Sequence, residues 1–385
     1  MKILIVPSWY PTEDSPLNGI FFKEQAMALQ KYGHDVIVAY PELRSMRTFG
    51  KQRHSLGLSY KKEDGLKTYR YRSYNPIPLR ISAGQGNVFY LLLNRLYDRI
   101  IQSEGKPDII HAHSCLWGGV AAARLASREN IPLVITEHSS KFPRKLFKPH
   151  EKKMVKQALT EADKIISVGL GLKNELIDYI HDQSKLTVIP NIVDIDLFQM
   201  SQQSRDRETF RFFSLGFLHL RKGMDLLIKA FAKELKGCQA ELIIGGSGPE
   251  MENLKRLSLD LGVSNQVKFL GQLDREGVLQ QMQQCDVFAL ASHAETFGVV
   301  YIEALACGKP VIATSCGGPE IIVNEKNGLL VNVDDIDALG DAMVYMFKNI
   351  DQYDPQVLRE DCVNRFSEKS IVSQLNDVYR SILRN

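Results

Sequence analysis

Two α/β domains, each a doubly wound parallel sheet with helices on both faces, are what this sequence predicts, and three observations predict them. Apolar runs of strand length recur along the chain, longer amphipathic segments separate several of them, and the rhythm stops near residue 190 and restarts near residue 210. Continuous rather than alternating apolar runs mark strands covered on both faces, as in a parallel sheet. At 385 residues the chain also exceeds what one hydrophobic core usually holds, which makes two domains the default.

In the first half the strand-length runs are Lys2–Val6, Asp35–Tyr40, Asp108–His111, Pro132–Thr136, Lys164–Val168 and Leu186–Pro190. Their alternation with helical segments is the βαβ rhythm. After Val188-Ile189-Pro190-Asn191 and the polar stretch Ser201–Asp206 a second series begins, at Arg211–Leu215, Ala240–Gly245, Val267–Leu270, Asp286–Ala291, Pro310–Thr314 and Gly328–Val331. The domains are therefore placed at 1–195 and 196–365. In the last segment, 366–385, residues Ile371, Leu375, Val378, Tyr379 and Ile382 fall at helical spacing. That helix is free to pack on its own domain or to cross back to the first. Open sheets of this kind bind ligands beyond the carboxyl ends of their strands, so a cleft between the domains is the expected site.

Composition narrows the class. The opening apolar run, Lys2 to Pro7, is too brief for a signal peptide or a membrane span, which points to the cytoplasm. The six cysteines are scattered without C-x-x-C spacing and are expected as buried free thiols in a reducing compartment. The net charge of +3 hides an asymmetry: residues 1–190 carry 28 Lys plus Arg against 18 Asp plus Glu, and the remainder 20 against 27. The positive excess gathers in Arg44–Arg53, Tyr69–Arg72 and above all Lys141–Lys156, where Phe142, Leu146 and Phe147 interleave with seven cations. Such a surface suits peripheral contact with an anionic membrane on its inner face, or a phosphorylated acceptor; the plainer alternative is a solvated helix face. No nucleic-acid-binding motif accompanies the excess, so nucleic acid is not an expected partner.

The segment Ala294–Pro310 carries the most chemistry. A strand ends, a short loop holds Glu295, and Gly298 opens a helix that Gly308 and Pro310 close. The amides of Phe297, Gly298, Val299 and Val300 then sit at a positive dipole end suited to a diphosphate. Glu303 lies about five residues into that helix, about 7.5 Å along its axis. The two carboxylates bracket a nucleotide sugar in this arrangement, Glu303 toward ribose hydroxyls and Glu295 toward the sugar ring. A dipole partner and an internal ion-pair member are the structural alternative for the two acids.

Glu295-x7-Glu303 with Phe297-Gly298 between, followed by Ala304-Leu305-Ala306-Cys307-Gly308-Lys309-Pro310-Val311-Ile312-Ala313, resembles the signature of glycosyltransferase family 4, retaining enzymes of GT-B fold with two Rossmann-like domains. The resemblance covers essentially the whole chain. Pro11–Gly19 and Phe22-Lys23-Glu24-Gln25-Ala26 look like the family's first loop and helix, and Val188–Asn191 like its interdomain junction. Leu215–Leu227 is similar to a second family segment, in which Lys222 reaches the leaving diphosphate and stabilises the charge growing there. Many relatives place an Arg directly after the strand-end glycine; this chain has Phe217, and Arg221 is the candidate replacement cation.

By the same resemblance Gly19 lies at the donor diphosphate, and His138 orients the donor sugar and supports the oxocarbenium-like state. Gly246 flanks the nucleotide and the backbone around Leu270 lies near the base. His113 and Asn18 are placed on the acceptor side. His111 and His113 are expected to project to opposite faces of their strand, which argues against a shared metal. No D-x-D element stands where it would hold a metal-bound diphosphate: Asp194-x-Asp196 falls at the junction. Neither a metal nor a nicotinamide cofactor is expected.

The resemblance implies transfer of a hexosyl group from a nucleotide diphosphate sugar, with uridine the expected base, to a hydroxyl of a glycan or lipid-linked acceptor, as in cell-surface polysaccharide or glycoconjugate synthesis. Two rivals share these residues. A nucleotide-sugar epimerase of the same fold would convert donor without an acceptor, and a non-catalytic sugar-nucleotide-binding protein would bind donor without product. A nicotinamide oxidoreductase rests on fold analogy alone.

Overall fold

The structure, a computed structural model, describes residues 1–49, 55–75, 82–201 and 208–383. Lys51 and Arg53 of the first basic segment, and residues 202–206 of the polar stretch after the junction, lie outside the described residues. The chain divides into two units: Met1–Val168, Leu172–Ile192 and Ile371–Asn385 form one, and Gly169–Gly171 with Val193–Ser370 form the other.

The first unit is built from strands β1 (Lys2–Pro7), β2 (Asp35–Arg44), β3 (Gly57–Glu63), β4 (Leu66–Tyr74), β5 (Ile109–His113), β6 (Leu133–Glu137), β7 (Lys164–Ser167) and β8 (Leu186–Val188). They form one sheet in the order β3-β4-β2-β1-β5-β6-β7-β8. Every neighbouring pair is parallel except β3 with β4. Helices α1 (Ile20–Lys31), α2 (Ser82–Glu104), α3 (Val120–Glu129), α4 (Pro149–Glu161) and α5 (Leu170–Ile177) connect the strands.

The second unit holds β9 (Phe210–Leu215), β10 (Ala240–Gly245), β11 (Val267–Gly271), β12 (Val287–Leu290), β13 (Val311–Thr314) and β14 (Gly328–Val331), all parallel in the order β11-β10-β9-β12-β13-β14. Its helices are α6 (Met224–Glu234), α7 (Met251–Asp260), α8 (Arg275–Gln284), α9 (Val299–Ala306), α10 (Ile336–Asn349) and α11 (Pro355–Phe366). The last helix, α12 (Glu368–Leu383), sends Ile371, Leu375 and Tyr379 into the core of the first unit, against β1 and β2 residues such as Ile3 and Val36.

The β3–β4 hairpin departs from the apolar-run pattern. Tyr60 pairs with Tyr69 across it, while Lys61, Lys62, Lys67 and Arg72 interrupt the apolar residues. One side of this edge faces water, so burial imposes no continuous run there. The basic stretch at 141–156 also differs from expectation. Phe142 and Phe147 are buried, with ring centroids 4.7 Å apart, and both pack on Tyr179; Leu146 alone of the three is exposed. Their apolar area was worth more inside than on a surface. Four cysteines are buried, whereas Cys238 is exposed and Cys316 half-buried.

Candidate functional site

In the second unit the residues of interest meet beyond the carboxyl ends of β9, β12 and β13. A short helical turn, Leu220–Lys222, leads into α6 through Gly223, which adopts φ +60°. A side chain at Gly223 would collide with the carbonyl oxygen of Ala291, just past the end of β12, so the turn lies directly on that strand end. Lys222 consequently extends toward the loop after β12, and its Nζ stands 2.5 Å from Glu295 Oε1. The Ser292 hydroxyl donates to the same oxygen at 2.8 Å. Two donors, Lys222 from 73 positions away and Ser292 from three, thus fix one carboxylate, whose side chain is 14% exposed and whose Oε2 accepts from no protein group among the described residues.

Immediately downstream, Gly298 caps α9 with φ +98° and ψ +66°, a left-handed conformation that glycine adopts readily. A Cβ there would fall 2.6 Å from the Tyr301 ring, while Tyr301 itself donates its buried hydroxyl to the Leu290 carbonyl at 3.1 Å. The first turn of α9 is therefore anchored to the end of β12, the same strand end that receives Gly223. The amides of Gly298, Val299 and Val300 have no hydrogen-bond acceptor among the described residues. Phe297 is buried, with its ring against Phe366. Glu303 is half-buried on α9, five residues after Gly298.

Backbone crowding continues on the other side of β9. Gly246 has φ +121°, and a side chain there would strike the Gly216 carbonyl; its own N–H donates to the Gly271 carbonyl at 2.7 Å. Leu270 precedes Gly271 and is 40% exposed. The loops after β9, β10 and β11 are thus joined through glycine backbone, with Phe217 exposed beside them. Arg221 is half-buried and its Nε has no hydrogen-bond partner among the described residues, while its carbonyl accepts the His293 N–H at 2.8 Å.

Sequence reasoning passed over the loop Cys316–Ile321. Both oxygens of Glu320 accept the Gly317 N–H, at 2.8 and 2.9 Å. A side chain at Gly318 would lie 2.6 Å from the Phe297 nitrogen, and one at Gly317 3.4 Å from the Glu295 carbonyl oxygen. This loop is a backstop for the Glu295–Gly298 segment. Its signal was present as Gly317-Gly318-Pro319-Glu320 directly after a strand, the same strand-to-glycine-to-helix pattern that singled out Gly298.

In the first unit, His113 at the end of β5 and His138 just after β6 lie side by side. His113 Nδ1 and His138 Nε2 are 3.2 Å apart, and both rings contact Phe22 of α1. His111 and His113 stack with ring centroids 4.5 Å apart, which corrects the expectation that they face opposite ways. Side chains two apart on a strand share a face. His111 nevertheless has both nitrogens engaged, Nδ1 with the Tyr379 hydroxyl and Nε2 with Thr136, each at 2.7 Å.

Burial drives the His111 and His138 pKa values down to about 3, and that of His113 well below the ordinary histidine value. All three are therefore neutral at pH 7. Among the described residues His113 Nε2 and His138 Nδ1 have no partner within hydrogen-bond geometry. Gly19 caps α1 at φ +78°, where a side chain would press on Trp9 at 2.9 Å, and Asn18 before it is exposed.

Residues 19–197 match the family description "Glycosyltransferase Family 4", and residues 197–360 match "Glycosyl transferases group 1". The chain is 31% identical over 297 residues to an uncharacterized glycosyltransferase of Methanocaldococcus jannaschii, an alignment covering 71% of this chain and 75% of that one. It is 27% identical over 291 residues to the N-acetyl-alpha-D-glucosaminyl L-malate synthase of Bacillus anthracis, covering 72% and 76%. In fold it is similar to Anabaena HepE in complex with UDP, with a TM-score of 0.77 at 23% identity and coverage of 99% and 100%. The chain belongs to glycosyltransferase family 4, and its two parallel-sheet α/β units have the GT-B fold.

Proposed function

We propose that this glycosyltransferase moves a hexosyl group from a UDP-sugar to a hydroxyl of a glycan or lipid-linked acceptor, with retention at the anomeric carbon. The observation that carries the reading is the convergence, at one strand end, of the Lys222–Glu295 pair and the unsatisfied amides at the start of α9. Fixed amides and an ammonium group aimed at one place favour the charge that develops on a departing diphosphate. Anabaena HepE, similar in fold, has been solved with UDP and with UDP-glucose, which supports uridine as the base.

In this reading the amides of Phe297, Gly298, Val299 and Val300, with Lys222, Arg221 and Gly19, receive the diphosphate. Glu303 accepts from the ribose, Gly246 and Leu270 border the base, and Glu295 uses its open oxygen for a sugar hydroxyl. His138 offers its unpartnered Nδ1 to the same sugar. The bond from the anomeric carbon to the phosphate oxygen breaks, the acceptor oxygen bonds to that carbon on the same face, and the acceptor proton passes to the departing phosphate. Cationic side chains and amides neutralise the leaving group, so the reaction calls for no metal and no nicotinamide. His113 and Asn18 belong to the acceptor side, in the N-terminal unit.

The setting we propose is cell-surface polysaccharide or glycoconjugate synthesis on the cytoplasmic side of a membrane, with the cations of 141–156 at the lipid. Among the described residues no helix is long and apolar enough to cross a membrane. Thermal unfolding with UDP, GDP, ADP and their glucose conjugates tests the donor, since a ligand held by the folded state raises its stability. A midpoint raised by UDP above the other nucleotides is expected; equal or absent shifts count against it. Epimer formation from donor alone would favour the epimerase.

A further inference from the structure

An open pocket, about 420 Å³ in volume, lies wholly within the N-terminal unit, between the β1–α1 loop and one face of β2, β3 and β4. Its size is within the roughly 300–1,000 Å³ usual for ligand pockets. The wall is charged where a sheet face is ordinarily apolar. Glu42 on β2 is buried and meets three guanidinium groups: Arg44 at 2.5 Å, Arg72 at 3.1 Å and Arg70 at 3.4 Å. Arg70 is held by Glu63 through Nε and Nη2, each at 2.7 Å, and lies over the rings of Tyr10 and Tyr40 at 5.3 and 5.4 Å.

Burying such a cluster gains little stability over apolar packing, because desolvation consumes most of the attraction between the charges. Three cations against two carboxylates also leave this wall one positive charge in excess. Among the described residues that line the whole pocket, six cations stand against five carboxylates, so the same excess holds out to the rim. Arg72 is placed to use it: its Nη1 holds Ser59 at 2.9 Å, its Nε sits beside Glu42, and its side chain is 18% exposed.

We propose that this pocket binds the acceptor through a saccharide residue carrying a single anionic group, a carboxylate or a phosphate, received by Arg72 and Arg44, with rim carboxylates accepting from its hydroxyls. Guanidinium forks suit planar carboxylates and phosphates through paired hydrogen bonds. The assignment rests on the acceptor reading of this unit.

Titration calorimetry of the full chain with glucuronate, glucose 6-phosphate and glucose, at an ionic strength that screens loose attraction, tests it. At least one charged sugar should bind about tenfold more tightly than glucose, a difference of about 1.4 kcal/mol, and Arg72→Gln should remove that preference. Which of the two charged sugars prevails separates uronate from phosphate. Equal affinity for all three, undetectable binding included, or a preference that survives both Arg72→Gln and Arg44→Gln, overturns the proposal. Should Arg72→Gln not fold, Arg44→Gln serves instead, with loss of the preference expected and an unchanged preference overturning the proposal. A parallel UDP titration keeps the two readings apart: UDP binding without an anion preference defeats only this pocket, and an anion preference without UDP binding defeats the glycosyltransfer reading on which its acceptor role depends.

Discussion

Lys222 Nζ stands 2.5 Å from Glu295 Oε1, across 73 positions of sequence, and Ser292 donates to the same carboxylate oxygen. The two residues form one unit: the lysine fixes the carboxylate, and the carboxylate holds the ammonium group at the end of β12. Neither side chain is then free to adopt another rotamer without breaking the pair.

Glu295→Gln keeps the shape and removes the charge. We expect kcat/KM to fall at least about 100-fold, roughly 2.7 kcal/mol of transition-state stabilisation, with the thermal midpoint changing by only a few degrees. Steady-state kinetics beside a melting curve checks this, and near-wild-type turnover would remove Glu295 from the reaction.

Gly298→Ala places a Cβ 2.6 Å from the Tyr301 ring in a backbone conformation of φ +98°. A cost of about 1–3 kcal/mol is expected from the strained conformation, together with weaker UDP binding as the first turn of α9 shifts. Urea unfolding and UDP titration on one preparation measure both effects. Unchanged UDP affinity in a destabilised variant would mean that the α9 amides do not hold the diphosphate.

Arg221→Gln tests whether this cation serves where Phe217 stands in the position many relatives give to arginine. Loss of a charge-assisted contact should raise the UDP dissociation constant about tenfold. Uridine affinity should not move, because that ligand has no phosphate. A proportionate loss for both ligands would signal a structural effect.

Glu320→Ala leaves the Gly317 N–H without its acceptor and should cost about 1–3 kcal/mol of stability. Because Gly317 and Gly318 back the Glu295–Phe297 segment, kcat should fall more than UDP affinity. Equal stability and equal kcat would show that the loop holds its shape without this bond.

The histidine cluster sets a pH dependence. His111 and His138 titrate near 3 in the folded protein because burial disfavours their charge, against 6.5 for the ordinary group. The unfolded chain therefore binds more protons between those values. Folding stability is fully present above about pH 6.5 and is lost as pH falls below it, by roughly 2 kcal/mol per histidine at pH 5. Urea unfolding at pH 7.5 and pH 5 measures the loss, and His138→Gln should shrink it. An identical loss in the variant would remove His138 as a source.

The amino-acid sequence by itself determined the two parallel-sheet units, because strands buried on both faces need unbroken apolar runs, and β1, β12 and β13 show this plainly. It also determined where α9 begins: Gly298 has a conformational freedom that few other residues share, and the pattern around it is local. The β3–β4 hairpin was not legible, since an edge open to water imposes no continuous pattern and its register depends on partners on other strands. Only the tertiary structure joined Lys222 to Glu295, turned Phe142 and Phe147 inward, stacked His111 on His113, and gathered three arginines around Glu42. Each of these depends on distances between chain segments far apart in sequence. Periodicity reports which face of an element is buried, whereas packing alone fixes which side chains meet on it.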